Sequence, residues 1–542
     1  MAHTALPRHN NTLAYTHLAF LGIFLVSALL SLTFATQADT AWMQCYGVVL
    51  AVALHGLVWQ RRNGSRLWIV FAVLPLVLGL CAVLFTDWQS RLGRYSWLDG
   101  LLNWLLLARS VSVGISWNAH AIGGVLAVLL PLQLDALKRA PRMLAVPGIL
   151  LTVTIVLLSG SRTIWLALVI GIVSYIMLSG LRSLGPKMLN RIWLVGVLLA
   201  GVVFFVWLSV QLALTADQPV YNGSRTLLWQ SSLTLARDFA FTGIGFGNFP
   251  MAYSSYMLLV HVPFLNHAYH LWINLWLSQG ALGLIAWCGL LVTALNTQHS
   301  DNPWRIPALS SLFVMLVYGL TDDPFYGYGA VMLPLLLLPH ALLAPRFRPN
   351  LQWSALSKAT LSIGKGILLS SAPIALITLL VAVLPGWRAH WHANLGALAQ
   401  LRTELSVYRW PDYVLQDQLR ISPKIDLTPA IQEYETALRL DANNPTANER
   451  LGQIELARTL LPAARQHMSA ALVSAPDRRA VQQMMGELYA LDGQPASAVA
   501  LWRKLDVQQD QLTIREAWYR NVLRAGSLAD RIADASKNIN TH

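Results

Sequence analysis

Two arginines and a group of histidines stand in stretches that are otherwise strongly apolar. Arg162 lies in SGSRTIW, and Arg225 opens the segment 223–249, GSRTLLWQSSLTLARDFAFTGIGFGNF. A guanidinium is always charged, planar and two-pronged, so it suits a phosphate or diphosphate better than an ammonium does. At the end of an apolar run the same side chain can instead reach back to lipid headgroups. His261, His267 and His270 precede or open a run that carries Gly280 and Gly283. A neutral imidazole there could take a proton from a hydroxyl. The three histidines are six and three residues apart with no carboxylate between them, a poor pattern for zinc. No metal and no cofactor is expected. Asp322 and Asp323, in GLTDDPFYGYG, could orient an imidazole or a sugar hydroxyl, or form a charged turn ended by Pro324. Asn118 and His120 form a further polar patch in GISWNAHAIGG. Gly243, Gly245 and Gly247 alternate, but no strand precedes them, so a dinucleotide loop is excluded. These glycines permit a tight turn or a close backbone approach to a ligand.

The elements that must hold these residues follow from composition. Of 542 residues, 55% are hydrophobic and 12% charged, against about 25% charged in soluble domains. Mean hydropathy is +0.49. This excludes a soluble enzyme, a disordered chain and a collagen-like fibre, and it predicts an all-α, polytopic membrane bundle. The cysteines Cys45, Cys81 and Cys288 all lie in apolar runs, so no disulfide framework is available. All but one unit of the net charge of +13 sits in the part up to Pro385, where basic residues set orientation, so no nucleic-acid partner is expected.

Apolar windows predict spans at 13–35, 41–59, 67–86, 118–134, 143–159, 164–181, 192–213, 271–295, 306–320, 329–344 and 366–385. The first is too long for a cleaved signal peptide and lacks a small-residue cleavage site. Arg8 and the basic residues after the second, fourth, sixth, eighth and tenth spans fall on one side: Arg61, Arg62 and Arg66; Lys138, Arg139 and Arg142; Arg182, Lys187 and Arg191; Arg305; Arg346, Arg348, Lys358 and Lys365. Arg91, Arg94, Arg109, Arg162, Arg225 and Arg237 fall elsewhere. The positive side is cytoplasmic by rule, which puts the N-terminus inside the cell membrane and the chain after Pro385 outside. Residues 98–116 would break this alternation as a further span. They are read as an interfacial or re-entrant helix, belted by Trp88, Trp97, Trp104 and Trp117.

Charge returns after Gly386. Residues 386–429 read as a membrane-proximal helix and linker. From 430 to 542 a repeat emerges: Ala430, Ala464 and Ala498 are 34 residues apart, as are Leu451-Gly452 and Met485-Gly486. A 34-residue period with small residues at the crossing resembles tetratricopeptide helix pairs, which form an α-solenoid and bind peptides or proteins on a concave face. A rigid cap on the membrane domain is the other reading.

The segments WNAHAIGGVLAVLLPL, LLSGSRTIWLAL, SRTLLWQSSLTLARDFAFTGIGFGNF, HAYHLWINLWLSQGALGL and YGLTDDPFYGY, in that order, resemble the O-antigen ligase/O-antigen polymerase (Wzy) superfamily of membrane glycosyltransferases. The resemblance covers residues 100–340, and a trailing tetratricopeptide domain accompanies it in the family. It implies a glycan moved from an undecaprenyl-diphosphate carrier to an acceptor hydroxyl on a glycan, lipid or protein, outside the cytoplasmic membrane. It also implies that Arg162 and Arg225 engage the donor diphosphate. The family's ligases place a base histidine eleven residues before the first glycine of Gly-x-x-Gly. Counting back from Gly280 gives Tyr269, so His267, and after it His270, are the expected bases, with Tyr269 itself, or altered or lost ligase chemistry, as the other readings. Ligase, polymerase and protein oligosaccharyltransferase activities all stay open on this ground. A non-catalytic scaffold recruiting partners through its tail is a reading of another class. A lipid-linked glycan flippase would call for half-to-half repeats, which the sequence lacks.

The orientation gives a direct test by cysteine labelling in whole cells. A cysteine near Asn444 should react without permeabilisation, and one within 345–365 only after it; the reverse pattern overturns the arrangement.

Overall fold

Apolar runs in a bilayer have no water to satisfy their backbone, so they must pair it internally as helix. The computed structural model describes residues 11–108, 117–197, 225–257, 265–297, 302–327, 330–345, 356–407 and 415–539, apart from Asn63, Ser65, Pro186 and Asp506. The described residues are helical with no strand among them. Among the described residues seven helices are long and apolar enough to cross a membrane: α1 (Asn11–Phe34), α2 (Ala38–Arg61), α3 (Arg66–Phe85), α5 (Ala119–Ala136), α7 (Arg162–Gly180), α11 (Leu271–Leu295) and α14 (Leu356–Val383) over its part Ser362–Val383; α6 (Arg142–Leu158) and α12 (Arg305–Tyr318) are shorter apolar helices. Between α3 and α5 lies the shorter α4 (Ser96–Ala108). Helix α8 covers 187–197; the rest of the expected seventh span, Arg109 and His261 lie outside the described residues.

One expected span is corrected. Residues 329–344 do not form a continuous helix but a 3-10 turn, Ala330–Leu335, followed by the short α13 (Leu338–Leu343). Pro334 and Pro339 each remove an N–H donor, which interrupts the ladder.

The helix ends sort into two groups. At one end Arg62 donates to the Ala344 carbonyl, Trp304 Nε1 donates to Arg62 O (2.6 Å), and Arg305 donates to Asn190 Oδ1 (2.6 Å). There too Arg139 lies over Trp68, with 4.5 Å to the ring centroid. At the other end Asp87 N donates to Trp117 O (3.2 Å) and Trp117 N to Phe85 O (2.7 Å). Because α3 ends and α5 begins side by side, the segment between them leaves and returns at the same end. The basic ends after α2 and α5 fall at the opposite end of the bundle from this pairing; residues 109–116 of the expected re-entrant stretch lie outside the described residues.

The longest interior span is broken. Gly280 in α11 has φ 66° and ψ −168°, a region open essentially to glycine alone. The chain that follows α9 (Arg225–Asp238) fills the break. Ala281 N donates to Phe241 O (3.2 Å), Ile244 N to Leu277 O (2.7 Å) and Trp276 Nε1 to Ala240 O (2.8 Å). A Cβ on Gly243 would sit 2.5 Å from Leu277 O, and one on Gly280 2.5 Å from Phe241 O. The two glycines thus make room for each other's backbone. Gly283, the other glycine of the pair, faces Ser27 of α1.

Helix α9 is packed between α11, α10 (Phe249–Met257) and α15 (Pro385–Val407), with Ser231, Ser232 and Asp238 buried. Beyond α15 come α16 (Asp417–Arg420), α17 (Thr428–Leu440), α18 (Pro445–Ala457), α19 (Leu461–Ser474), α20 (Arg479–Leu491), α21 (Pro495–Lys504), α22 (Gln509–Ala517) and α23 (Gly526–Lys537). Helix α20 starts 34 residues after α18, and α21 starts 34 after α19. Asn444 accepts from Ala447 N (3.0 Å), which caps α18.

Substituting Gly280 by alanine would force a side chain into that glycine-only conformation at a cost of about 1–3 kcal/mol, before any clash with Phe241 O. Gly280→Ala should lower the thermal midpoint of the purified protein in detergent by several degrees. Gly22→Ala, where nothing lies within 4 Å of the new methyl, is the control expected to leave it unchanged.

Candidate functional site

The chain entering α11 determines the site. Tyr269 has φ 50°, in the left-handed region, and His270 is extended (φ −159°, ψ 114°), so regular helix begins only at Leu271. Helical phasing therefore does not apply to these residues. The turn brings the rings of His267 and Tyr269 together edge-on, with centroids 4.0 Å apart, and directs His270 toward Trp229 of α9, at 6.0 Å. Trp229 Nε1 donates to Tyr269 O (3.1 Å), which holds the turn against α9.

A buried amide secures the arrangement to the loop after α12. Asn274 Oδ1 accepts from Ala268 N (2.9 Å), and its Nδ2 donates to Asp323 Oδ2 (2.7 Å). Asp323 Oδ1 in turn accepts from Phe325 N (2.9 Å) and Tyr326 N (3.1 Å), and Asp322 Oδ1 accepts from Asp323 N (2.8 Å). Leu271 N donates to Gly319 O (2.8 Å). The two aspartates thus act on the histidine turn through Asn274, not by direct contact with His267 in the bonds described.

Positive charge arrives from two directions. Arg225, at the start of α9, donates to Thr321 O (2.9 Å), and its guanidinium lies 5.4 Å from the Tyr269 ring centroid. Arg91 bonds His120 through its Nη1 and the imidazole Nε2 (2.7 Å), while Asn118 caps α5 by accepting from His120 N (2.8 Å). Arg162 stands farther along the rim, exposed, with Nε donating to Tyr95 Oη (3.3 Å). Arg94 reaches the same rim beside Gly160. Sequence reading passed over Arg91 and Arg94 because they only counted against the positive-inside sum. Their position at the less basic end was the available signal. Asn274 gave none, being one polar residue on an apolar helix.

Gly243 (φ 68°) and Gly245 (φ 86°) make the tight turn that their spacing allows, and they also admit neighbouring backbone. Gly243 meets the backbone of α11 and Gly245 that of α1, so their lost side chains admit other segments of the chain. Gly245 also borders a cavity of about 400 Å³ that His267, Asn118 and Asn274 line.

Burial and the charge of Arg225 lower the His267 pKa from 6.5 to about 3, and burial lowers that of His270 to about 4. Both imidazoles are neutral near pH 7. Burial, with Asp322 beside it, raises the Tyr269 phenol against the opposing pull of Arg225 and Arg91. Burial also pushes Asp323 up to about 6, although Asn274 and the Phe325 and Tyr326 amides pull the other way.

Residues 147–288 match the sequence model of the O-antigen ligase family. That segment contains Arg162, Arg225, the histidine turn and both glycines of the α11 break, and the match supports the O-antigen ligase/Wzy superfamily for this part of the chain. At family level the protein is a ligase- or polymerase-like membrane glycosyltransferase. No curated protein and no solved structure matches the chain.

The shifted groups give opposite pH slopes. The unfolded chain binds protons at the two histidines between about pH 6.5 and 3 that the folded chain refuses, so stability from them falls as pH drops through that window. Asp323 behaves in reverse: the folded state keeps its proton up to about pH 6, so stability falls as pH rises from about 4 to 6. Asp323→Asn removes the second slope. Its thermal midpoint should therefore climb more steeply than wild type between pH 4 and 6, and His267→Gln should climb less; parallel curves would show that neither group is shifted.

Proposed function

We propose that this protein transfers a glycan from undecaprenyl diphosphate to an acceptor hydroxyl outside the cytoplasmic membrane, with inversion at the anomeric carbon. The observation that carries this reading is a single stack: Arg225 against Tyr269, and Tyr269 against His267. Positive charge for a leaving diphosphate and a neutral imidazole for a hydroxyl proton stand on either side of one ring. The acceptor oxygen attacks the anomeric carbon as His267 takes its proton. The carbon–oxygen bond to the diphosphate breaks, and the electron pair leaves with the phosphate. Charge develops there in the transition state, where preorganised guanidinium groups stabilise it most.

Arg225 lowers the basicity of His267, so a diphosphate bound to Arg225 cancels part of that effect and makes the imidazole a better base once the donor is in place. Arg162, Arg91 and Arg94 spread along the rim, which suits the extended negative head of a lipid diphosphate. In the same reading the less basic end of the bundle faces outward, the N-terminus is cytoplasmic, and the tail from 430 is a tetratricopeptide-like solenoid. That solenoid would present the site to an acceptor-bearing partner.

Deleting the gene should cause lipid-linked glycan to accumulate in the host, and the wild-type gene should clear it. Arg225→Lys keeps charge but loses the fork, and a drop in transfer of about 10²-fold is expected, with a smaller one for Arg162→Lys. His267→Ala should cost about 10²–10⁴-fold, whereas Tyr269→Phe should be tolerated. Full transfer by a His267→Ala, His270→Ala double variant removes histidine from the mechanism.

A further inference from the structure

The cavity beside His267 has a chemistry distinct from the arginine rim. It opens between the α1–α2 turn, the start of α5, the turn at 244–250 and the upper part of α11. Its polar lining includes Gln37, Gln44, Asn118, Asn266, Asn274 and Ser278, and among the described residues no lysine, arginine, aspartate or glutamate borders it. The volume of about 400 Å³ falls in the range of small-ligand sites. In order of contact, the cavity meets His267, His267 meets Tyr269, and Tyr269 meets Arg225. Charge is thus kept one ring away from the cavity wall.

Several of these amides are held in fixed attitudes. Gln44 Oε1 accepts from Gly247 N (3.1 Å) and its Nε2 donates to Tyr326 O (3.4 Å). Asn118 uses its carbonyl to cap α5, which leaves its NH₂ as the group it can offer a ligand. Asn266 is exposed at the mouth. Amides offer both donors and acceptors, which matches the mixed demands of adjacent sugar hydroxyls. An anionic ligand would meet no counter-charge here and would lose its hydration uncompensated.

We infer that this cavity is the acceptor subsite and that it takes an uncharged sugar residue, placing one of its hydroxyls against His267. The inference rests on the glycan-transfer reading for the direction of the reaction, but the binding of a neutral sugar can be tested without it. The probe is the octyl glycoside of N-acetylglucosamine carrying a diazirine, applied to the full-length protein in lipid nanodiscs. Its 6-phosphate analogue is run in parallel.

After irradiation and digestion, the neutral probe should mark peptides containing residues 37–44, 118 or 244–250, and the phosphate analogue should not. Asn118→Asp and Asn266→Asp should each reduce that labelling by about two- to tenfold, the worth of one hydrogen bond. Asn266 lies at the surface, so its variant tests the cavity without burdening the fold. Labelling that favours the phosphate analogue, or that falls outside these peptides, overturns the assignment. In a transfer assay the same variants should raise KM for the acceptor and leave that for the lipid donor unchanged; a rise in donor KM instead assigns the cavity to the other substrate and overturns the proposal. If the sugar labels the cavity while wild-type protein transfers nothing to any acceptor, the catalytic reading fails and the binding site stands.

Discussion

The arrangement depends on one interruption. A helix of 25 residues that ran unbroken from Leu271 to Leu295 would close its own backbone bonds and present only side chains to its neighbours. The turn at Gly280 frees carbonyl and amide groups inside the bundle, and the chain at 240–245 satisfies them. That exchange joins α9, which begins with Arg225, to α11, which is preceded by the histidine turn. Unpaired backbone inside a membrane bundle costs several kcal/mol per group, so the two segments have little freedom to separate. The distance between the cationic and the imidazole parts of the site is therefore set by backbone bonding, which side-chain substitutions on the surface do not reach.

The other end of α9 is held from the tail. Asp238 is buried and bonds Arg450 Nη2 (2.8 Å), Arg478 Nη2 (3.0 Å) and Thr446 Oγ1 (2.6 Å). Burial pushes its pKa up, but Arg478 and Arg450 win, and the group stays ionised below its ordinary range. Asn394 of α15 accepts from Phe241 N (2.8 Å), so the filled break is touched by the tail as well. Apolar residues of α9, α10, α15, α17 and α18 share one core. The membrane site and the helical tail are thus parts of a single packed unit. Removing either partner of a buried ion pair of this kind costs about 3–5 kcal/mol, mostly as a charge left unpaired.

Hydropathy located the spans because a bilayer imposes one length and one polarity on every crossing segment. It failed at 329–344, where the run is apolar enough but two prolines deny it a ladder, and composition windows do not weigh single donors. Charge alternation treats 98–116 as non-crossing, a global constraint on the helix ends; within that stretch the described part is the short α4 (Ser96–Ala108). The site was legible in part. Residue chemistry drew attention to His267, Arg225 and Asn118, which lie close together. The Asn274–Asp323 bond and the Arg91–His120 bond join residues 49 and 29 positions apart through the fold, and no spacing rule reaches them. Gly243, Gly245 and Gly247 were expected to permit a tight turn or a close approach to a ligand; all three have positive φ, and Gly243 and Gly245 also admit neighbouring backbone of the same chain. The register argument from Gly280 to Tyr269 assumed one continuous helix, yet both of those residues leave helical geometry.

The pairing of Phe85 and Asp87 with Trp117 has a consequence for how such a protein can diversify. The stretch between these anchors starts and finishes at one place, so it behaves as a closed excursion from the bundle. Lengthening, shortening or exchanging it alters neither the number of crossings nor the sidedness of anything downstream. It also carries Arg91 and Arg94 to the rim of the site. A lineage can therefore rewrite this excursion to suit a different ligand while the helical frame passes through unchanged, much as a tool holder outlasts the bits it carries.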